Sequence, residues 1–508
     1  MDNPFIYGPA LPPEQMVGRR AELRMVLGRL AKRQSTAVIG PPHVGKTTLL
    51  QALADDQMRQ DLSGNRFERD VFSFVDAMTA HGFASPAEFW QRALLPLADH
   101  LSLPTPPAPR RLEMELLPLL RQSFNASDLQ DICLALHINY EVLSGQGAND
   151  KTRELVILCQ QQGRLEALAL RMKQVHPHLD VPLPKPPPDP HLTLLQGAYL
   201  TAQHEQFGTF VLEQLFRRLH ENKQRFVLLI DEFDDFLANP ALHTAEFYGG
   251  LRSLASRAQG FALAIAARQE LEELNRCTQA INPHGSPYFN TFTELHLGVL
   301  TGREFGDLLK LAGNRFDKED RQFIAALSGR HPYLAQVAAA VVWDADVAGN
   351  RGDKRYTAAG EAFYRGTCQH FADTWRAMTD GMRRGITAVA LTQLPNLLET
   401  RAFLTERLTV NLADYTADLE RLERYGIVAQ DETGWRVAQQ GFLWWLADTL
   451  REQVRQETGF AAWLQAQALD GVLTNGEKQW MRKMGTAVAQ ALGPGVPALV
   501  EAMVKRLF

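Results

Sequence analysis

Gly40-Pro41-Pro42-His43-Val44-Gly45-Lys46-Thr47, followed by Thr48, is the segment from which the rest of the fold follows. It has the required residue at every fixed position of the pattern G-x-x-x-x-G-K-S/T, between a β-prone and a helix-prone run. Such a loop turns its backbone N–H groups toward phosphate, and the following helix N-terminus adds partial positive charge. We predict that residues 40–48 bind ATP or ADP, that Lys46 contacts the β- and γ-phosphates, and that the Thr47 hydroxyl binds Mg²⁺.

A second segment supplies the carboxylates that work with such a loop. The apolar run 226–230 is followed directly by Asp231 and Glu232. A run of this kind forms a buried parallel strand, and its carboxyl end lies at the sheet edge where α/β proteins bind ligands. We predict that Asp231 holds Mg²⁺ and that Glu232 orients or deprotonates the attacking water, which makes the chain a P-loop ATPase.

Other segments predict the rest of an α/β fold built on a P-loop NTPase parallel sheet. Four more runs have the composition of strands, namely Thr36–Ile39, Asp70–Asp76, Phe261–Arg268 and Leu295–Thr301. Helices are predicted from Val17 to about Lys32, from about Pro86 to Leu101, and from Leu195 to about Lys223.

Composition restricts the class of protein. A length of 508 residues suggests roughly three or four domains, and 45% apolar residues suffice for a core. The net charge of -5 shows no overall excess of positive charge of the kind that favours binding to nucleic acid. The four cysteines are far apart and are expected to be reduced thiols. Neither a signal peptide nor a long apolar run is apparent, so we expect a cytoplasmic protein without a membrane segment.

The order of motifs resembles that of the bacterial STAND ATPases, which are signal-transduction NTPases of the AAA+-like group. This order is Asn3-Pro4-Phe5, then Val17-Gly18-Arg19 with Glu22-Leu23, a helix, a strand and the P-loop. The resemblance implies that Val17, Gly18 and Arg19 lie against the base and ribose. It also implies that Arg268 is a catalytic sensor of the γ-phosphate and that Pro332 touches the adenine. Arg330 stands where the family usually has a second glycine. Arg252 and Arg257 precede the Arg268 strand, where AAA+ enzymes often place an intersubunit finger, and we favour ordinary surface arginines there.

Two proline-rich segments, 104–109 and 182–190, bracket a region of helical periodicity. Such segments are semi-rigid spacers, so residues 104–190 are predicted to be an inserted bundle of four or five short helices. The pattern of residues in this region resembles that of the death-like effector-associated domains of bacterial conflict systems. The matching positions are Phe124, Leu129, Ile132-Cys133, Leu143-Ser144-Gly145 and Gly163-Arg164. That resemblance implies homotypic recruitment of an effector protein, such as a protease or a TIR protein, through about residues 110–180. A purely structural insertion is the alternative.

The chain after residue 300 is predicted to be helical with one small hairpin. We expect a helical lid over 301–380, a winged helix over 381–456 and a helical tail over 457–508. Residues 383–456 contain nine arginines, no lysine and ten acidic residues, and the would-be recognition helix carries Asp414, Asp418, Glu420 and Glu423. Phosphate binding needs clustered lysine and arginine, so nucleic acid is not the expected partner.

Together these segments predict an ATPase core over 1–103 and 191–300 that acts as a molecular switch. In this interpretation ADP keeps the lid and winged helix shut. Mg²⁺ and ATP open them, after which the chain self-associates and presents its bundle to an effector. The main alternative is an AAA+ ATPase with a winged helix that acts on DNA, as replication or transposition regulators do. A third possibility is an adaptor whose ATPase is nearly idle.

Overall fold

The computed structural model describes residues 2–8, 11–103, 112–136, 138–140, 143, 147–161, 164–179, 181, 194–283, 285–397, 415–432, 434–454 and 496–507, with five isolated residues at 462, 465, 478, 479 and 482. The chain forms two compact units. The first comprises Met1–Leu97 and Ala202–Phe508, and the second comprises Ala98–Thr201.

A five-stranded parallel sheet is the centre of the first unit. Its strands are β1 (Thr36–Ile39), β2 (Val71–Asp76), β3 (Phe226–Asp231), β4 (Phe261–Ala267) and β5 (Thr293–His296), in the spatial order β2-β3-β4-β1-β5. β1, β3 and β4 are buried at every position because helices cover both faces of the sheet. The register pairs Ile39 with Ala267, and the P-loop and Arg268 therefore begin at the same edge.

Each predicted helical segment of this core contains a helix, two of these segments are broken, and three further helices, Asp56–Ser63, Ala245–Arg257 and Leu271–Gln279, were not predicted. The helices are α1 (Arg20–Ala31), α2 (Lys46–Ala54), α3 (Asp56–Ser63), α4 (Pro86–Ala93), α5 (Leu95–His100), α10 (Leu194–His204), α11 (Thr209–Glu221), α12 (Ala245–Arg257) and α13 (Leu271–Gln279). Of these, α5 and α10 include residues of both units, because the unit boundaries fall within them. The helix predicted over 86–101 is interrupted at Leu94, because Pro96 has no N–H to continue the hydrogen-bond ladder. The helix predicted over 195–223 ends where Gln206 and Phe207 adopt positive φ angles, before the N-cap Gly208.

The last strand is also shorter than predicted and begins earlier. The Leu297 N–H still bonds to the Ile39 carbonyl at 2.7 Å, but the Leu300 N–H bonds to the Arg330 carbonyl at 3.0 Å. The chain therefore leaves the sheet after Leu297 and joins the helices that follow.

The described residues of the C-terminal part of the first unit form helices and one antiparallel hairpin. Its elements are α14 (Gly302–Leu309), α15 (Lys318–Ser328), α16 (Pro332–Val347), α17 (Asp353–Ala377), α18 (Asp380–Leu397), α19 (Thr416–Arg424), β6 (Val428–Asp431), β7 (Gly434–Val437), α20 (Gln440–Val454) and α21 (Val496–Leu507). All of these helices contribute to one hydrophobic cluster. Residues 398–414 of the predicted winged helix and most of the predicted tail lie outside the described residues, so the winged helix stays a prediction.

The second unit has its own hydrophobic core. Four helices, α6 (Leu112–Ser123), α7 (Ala126–Ala135), α8 (Ala148–Gln161) and α9 (Leu165–Val175), bury Leu116, Ile132, Leu155 and Leu168 together. Both predicted proline-rich segments lie outside the described residues. Within the part of the chain that the structure describes, no helix has the length and hydropathy needed to cross a membrane.

Candidate nucleotide-binding site

The loop between β1 and α2 holds a buried lysine. Gly45 caps α2 with a φ of 97°, which a residue with a Cβ atom rarely adopts, and a Cβ on Gly40 would lie 2.7 Å from the Leu297 carbonyl. Lys46 is 4% exposed, and its Nζ donates to the carbonyls of Gly40 (3.0 Å) and Pro41 (3.1 Å). Burial lowers the pKa of Lys46, although Glu232 and its neighbouring acids oppose this shift. A negatively charged ligand would stabilise this ammonium further.

The acid pair at the end of β3 lies beside the loop. Asp231 is almost completely buried, and its Oδ1 has no hydrogen-bond partner among the described residues. Burial raises its pKa, while the Thr47 side chain and Lys46 act in the opposite direction. Magnesium prefers oxygen ligands and often takes only one or two from the protein beside those of a phosphate. The Thr47 hydroxyl and the unpaired Asp231 oxygen fit such an ion.

Glu232 has the backbone strain that often accompanies a functional residue. Its φ of 47° and ψ of 46° place a non-glycine residue in the left-handed region. Its Oε2 has no well-aligned hydrogen bond in the described structure, and burial raises its pKa. A carboxylate with a raised pKa is better suited to take a proton from water than an ordinary one.

Arg268 directly follows β4 and forms ion pairs with Glu232 and with the acids that come after it. Its Nε lies 3.3 Å from Glu232 Oε2, and its Nη2 donates to Asp235 Oδ1 at 2.8 Å. Burial opposes its charge, but Glu232, Asp234 and Asp235 outweigh this effect and raise the pKa of Arg268. Here the arginine is held by carboxylates, and reaching a γ-phosphate would require it to exchange these partners.

One cavity of about 590 Å³ connects these groups with the lid helices. We call the part of its lining formed by Thr47, Asp231, Glu232 and Arg268 the polar end. We call the part contributed by the N-terminal segment and the helices after residue 300 the apolar end, which comprises Ile6, Tyr7, Leu11, Met16, Val17, Leu300, Leu308, Pro332 and Tyr333 together with Gln336. Of the residues predicted to bind the nucleotide, Pro42, His43, Val44, Gly45, Lys46, Thr47, Thr48, Val17, Arg19 and Pro332 line this cavity, whereas Gly40, Pro41 and Gly18 do not.

Arg19 connects the N-terminal segment to the loop and the lid. Its guanidinium donates to the carbonyls of Gly298 and Val44 and pairs with Glu22. Its backbone N–H donates to Glu304 Oε1 at 2.6 Å. Gly18 has a φ of 82° and lies so close to Glu304 that a Cβ would be 2.8 Å from that carboxylate. Through these contacts Arg19 and Gly18 fix the N-terminal segment against the loop and α14, a role that the sequence did not predict.

The Asn3-Pro4-Phe5 motif packs on the lid. Asn3 Nδ2 donates to the Ala340 carbonyl at 3.1 Å, and Phe5 stacks on Phe316 with ring centroids 5.6 Å apart. Ile6 and Tyr7, which directly follow this motif, line the cavity.

The turn before α16 has an arginine in place of the usual glycine. Gly329 and Arg330 both have positive φ angles, 56° and 64°. Arg330 therefore adopts the conformation that a second glycine would take more easily. Pro332 follows as the first residue of α16, a position that tolerates proline because its N–H would be unpaired there.

Three histidines and a tyrosine connect the loop to the helices of the predicted lid. We term His43, His331, His370 and Tyr333 the histidine cluster. His43 of the loop lies 5.0 Å from Tyr333 and 5.3 Å from His370, and His331 lies 5.5 Å from His370, measured between ring centroids. Burial lowers the pKa of all three histidines and brings that of His370 to about 4. Sequence reasoning missed this cluster. Its only local signal is that His331 directly precedes Pro332.

A second unpredicted contact joins the N-terminus of α13 to α19. Glu270 Oε2 and Oε1 accept from Arg421 (2.6 Å) and Arg424 (3.2 Å) respectively. Glu270 is the N-cap residue of α13, two residues after Arg268. The two basic residues of α19 are therefore committed to the ATPase-like core in this conformation.

Comparison with known families identifies one segment. Residues 116–177 match the model of effector-associated domain 7, EAD7. This confirms that the inserted region resembles an effector-associated domain. No curated protein matches the sequence significantly.

Several solved structures are similar at low identity. A Walker-type ATPase of Pyrococcus abyssi has 12% identity and a TM-score of 0.42, with 87% of this chain and 99% of that chain covered. The ORC2 protein of Aeropyrum pernix, in ADPNP–ADP complexes, has 12% identity and a TM-score of 0.36, with 90% and 98% covered. The ORC1 protein of Aeropyrum pernix, in complex with DNA, has 12% identity and a TM-score of 0.31, with 86% and 93% covered. These TM-scores are too low to inform the ligand or partner of this chain. The chain thus combines a P-loop motif on a parallel α/β sheet with a helical segment similar to EAD7.

Proposed function

We propose that this protein is an ATP-dependent switch of the STAND type, in which bound nucleotide determines the position of the lid. The observation that carries the proposal is the single cavity of about 590 Å³ lined by the P-loop, the acid pair and the lid helix α16. A nucleotide in this cavity would contact Lys46 at one end and Pro332 at the other. Its binding energy would thereby stabilise one arrangement of loop and lid over another.

The residues at the polar end fit a slow hydrolase. Thr47 and Asp231 would hold Mg²⁺, which would neutralise phosphate charge when it is bound. Glu232 would orient or deprotonate the attacking water, and Lys46 would stabilise the negative charge of the phosphates. Arg268 would exchange its carboxylate partners for the γ-phosphate, which gives the site a means of distinguishing ATP from ADP.

The helical segment at 116–177 supports a partner-recruiting output. Its similarity to effector-associated domain 7 suggests that the second unit binds an effector protein, and we propose a role in bacterial antiviral or conflict signalling. Self-association after ATP binding would bring several such units together. The pairing of Arg421 and Arg424 with Glu270 counts against α19 as a DNA-reading helix, because phosphate contacts need free cationic side chains.

Substitution of Lys46 tests the proposal. Wild type, Lys46→Ala and the control Lys32→Ala, an exposed lysine after α1, are compared by calorimetric titration with ATP and by light scattering. We expect ATP·Mg²⁺ to bind and to increase the mass of wild type and the control, and neither effect in Lys46→Ala. Unchanged binding and assembly in Lys46→Ala would refute the proposed site.

A further inference from the structure

Gln336 presents a buried, unpaired amide oxygen at the apolar end of the cavity. It lies on α16 four residues after Pro332, so both side chains are on the same helix face. Gln336 is 8% exposed, and its Oε1 has no hydrogen-bond partner in the part of the chain that the structure describes. Native proteins seldom leave a buried amide unpaired, and an orphaned group of this kind calls for a partner.

The surroundings of Gln336 suit a flat aromatic ligand. The ring of Tyr333 and the apolar side chains of Val17, Leu308 and Pro332 line the same end of the cavity. Arg19, which also lines the cavity, already donates to the backbone carbonyls of Gly298 and Val44. Shape and apolar contact alone distinguish one purine from another poorly, because two purines differ mainly in their polar edges.

We propose that Gln336 selects adenine over guanine in this cavity, an inference that rests on the nucleotide site proposed above. The carboxamide offers one acceptor and one donor in a single plane. Adenine presents the complementary pair, an N6 amino donor beside the N7 acceptor. Guanine presents two acceptors, O6 and N7, so the oxygen of Gln336 would face an oxygen. Gln336 therefore acts as a specificity-determining residue rather than a catalytic one.

The experiment measures a ratio of affinities in the full-length chain. ADP, GDP and pyrophosphate are titrated into wild type, Gln336→Met and a control, Gln322→Leu, which changes an exposed glutamine on α15. Methionine keeps the length and volume of glutamine but has neither its donor nor its acceptor. We expect wild type and the control to prefer ADP over GDP by about 10- to 100-fold, the range for one bidentate contact. In Gln336→Met this preference should fall to about threefold or less, with pyrophosphate affinity unchanged.

The outcomes separate this inference from the proposed function. Tight ADP binding with an undiminished preference over GDP in Gln336→Met would overturn the role of Gln336 and leave the nucleotide site intact. Equal affinities of wild type for ADP and GDP would overturn it as well. Wild type that binds neither ADP nor pyrophosphate would refute the site itself. If Gln336→Met is unstable, Gln336→Leu is titrated in its place, with the same expected ratio.

Discussion

Acidification should destabilise the first unit through the histidine cluster, and replacement of His370 should remove a defined part of this effect. In the folded chain burial disfavours the charged form of His370 and lowers its pKa from an ordinary value of about 6.5 to about 4. His43 also lowers this pKa, and Asp373 acts in the opposite direction. The pKa of His331 is also lowered, mainly by burial. The nearby side chains of His370, His43, Arg19 and Lys46 lower it further.

The sign and size follow from proton linkage. The unfolded chain binds a proton at His370 below about pH 6.5, whereas the folded chain does so only near pH 4, so stability falls as the pH drops through this window. At pH 5.5 the unfolded state gains about 1.4 kcal/mol from this one histidine relative to pH 7.5 or above. For a unit of this size, that free energy corresponds to a decrease in Tm of about 2 °C.

Thermal unfolding between pH 5.5 and 7.5 measures this effect. We compare wild type with His370→Phe, which keeps an aromatic ring beside Tyr333 but has no titratable nitrogen. The control is His220→Phe, at an exposed position of α11. The Tm of His370→Phe should depend less on pH than that of wild type, by about 2 °C over this range, and the control should match wild type. An identical pH dependence in all three proteins would refute the assignment of a buried, neutral His370.

Three further predictions concern catalysis, the contact of α19 and the second unit. Glu232→Gln should bind ATP with near wild-type affinity but hydrolyse it at least about 100-fold more slowly in a phosphate-release assay. Glu68→Gln, which changes an exposed glutamate, serves as the control and should hydrolyse ATP at the wild-type rate. Normal turnover in Glu232→Gln would exclude Glu232 as the base. Glu270→Gln removes the carboxylate that two arginines of α19 share and should lower the free energy of local unfolding there by about 1–2 kcal/mol. Limited proteolysis should therefore cleave near α19 faster than in wild type. Equal cleavage rates would show that the contact does not stabilise α19. Residues 98–201, expressed alone, should give a helical circular dichroism spectrum with a cooperative melt, because their core is internal, and a featureless melt would contradict this.

Local sequence patterns sufficed for the elements that carry the polar end of the site. The P-loop pattern and the apolar run before Asp231 each depend on residues close together in the chain, and parallel pairing then places their carboxyl ends at one sheet edge. The segments that form β1, β3 and β4 were predicted for the same reason. The helix breaks at Pro96 and Phe207 were missed, although Pro96 is a clear local signal.

The contacts that connect the core to the lid could not be read from local patterns. His43 and His370 are far apart in sequence, and neither lies in a motif that predicts a partner. Arg19 was expected at the ribose, but its guanidinium is committed to backbone carbonyls whose positions depend on where the chain leaves β5. Such pairings are set by tertiary packing, which periodicity does not encode.

Hydrogen–deuterium exchange with and without ADP tests most directly whether one nucleotide connects the loop to the lid. Peptides covering residues 40–48 and 328–336 are followed in wild type and in Lys46→Ala. The account predicts that ADP slows exchange in both peptides of wild type and in neither peptide of Lys46→Ala. Slower exchange in residues 40–48 with no change in residues 328–336 would contradict it, because the lid would then be insensitive to the ligand.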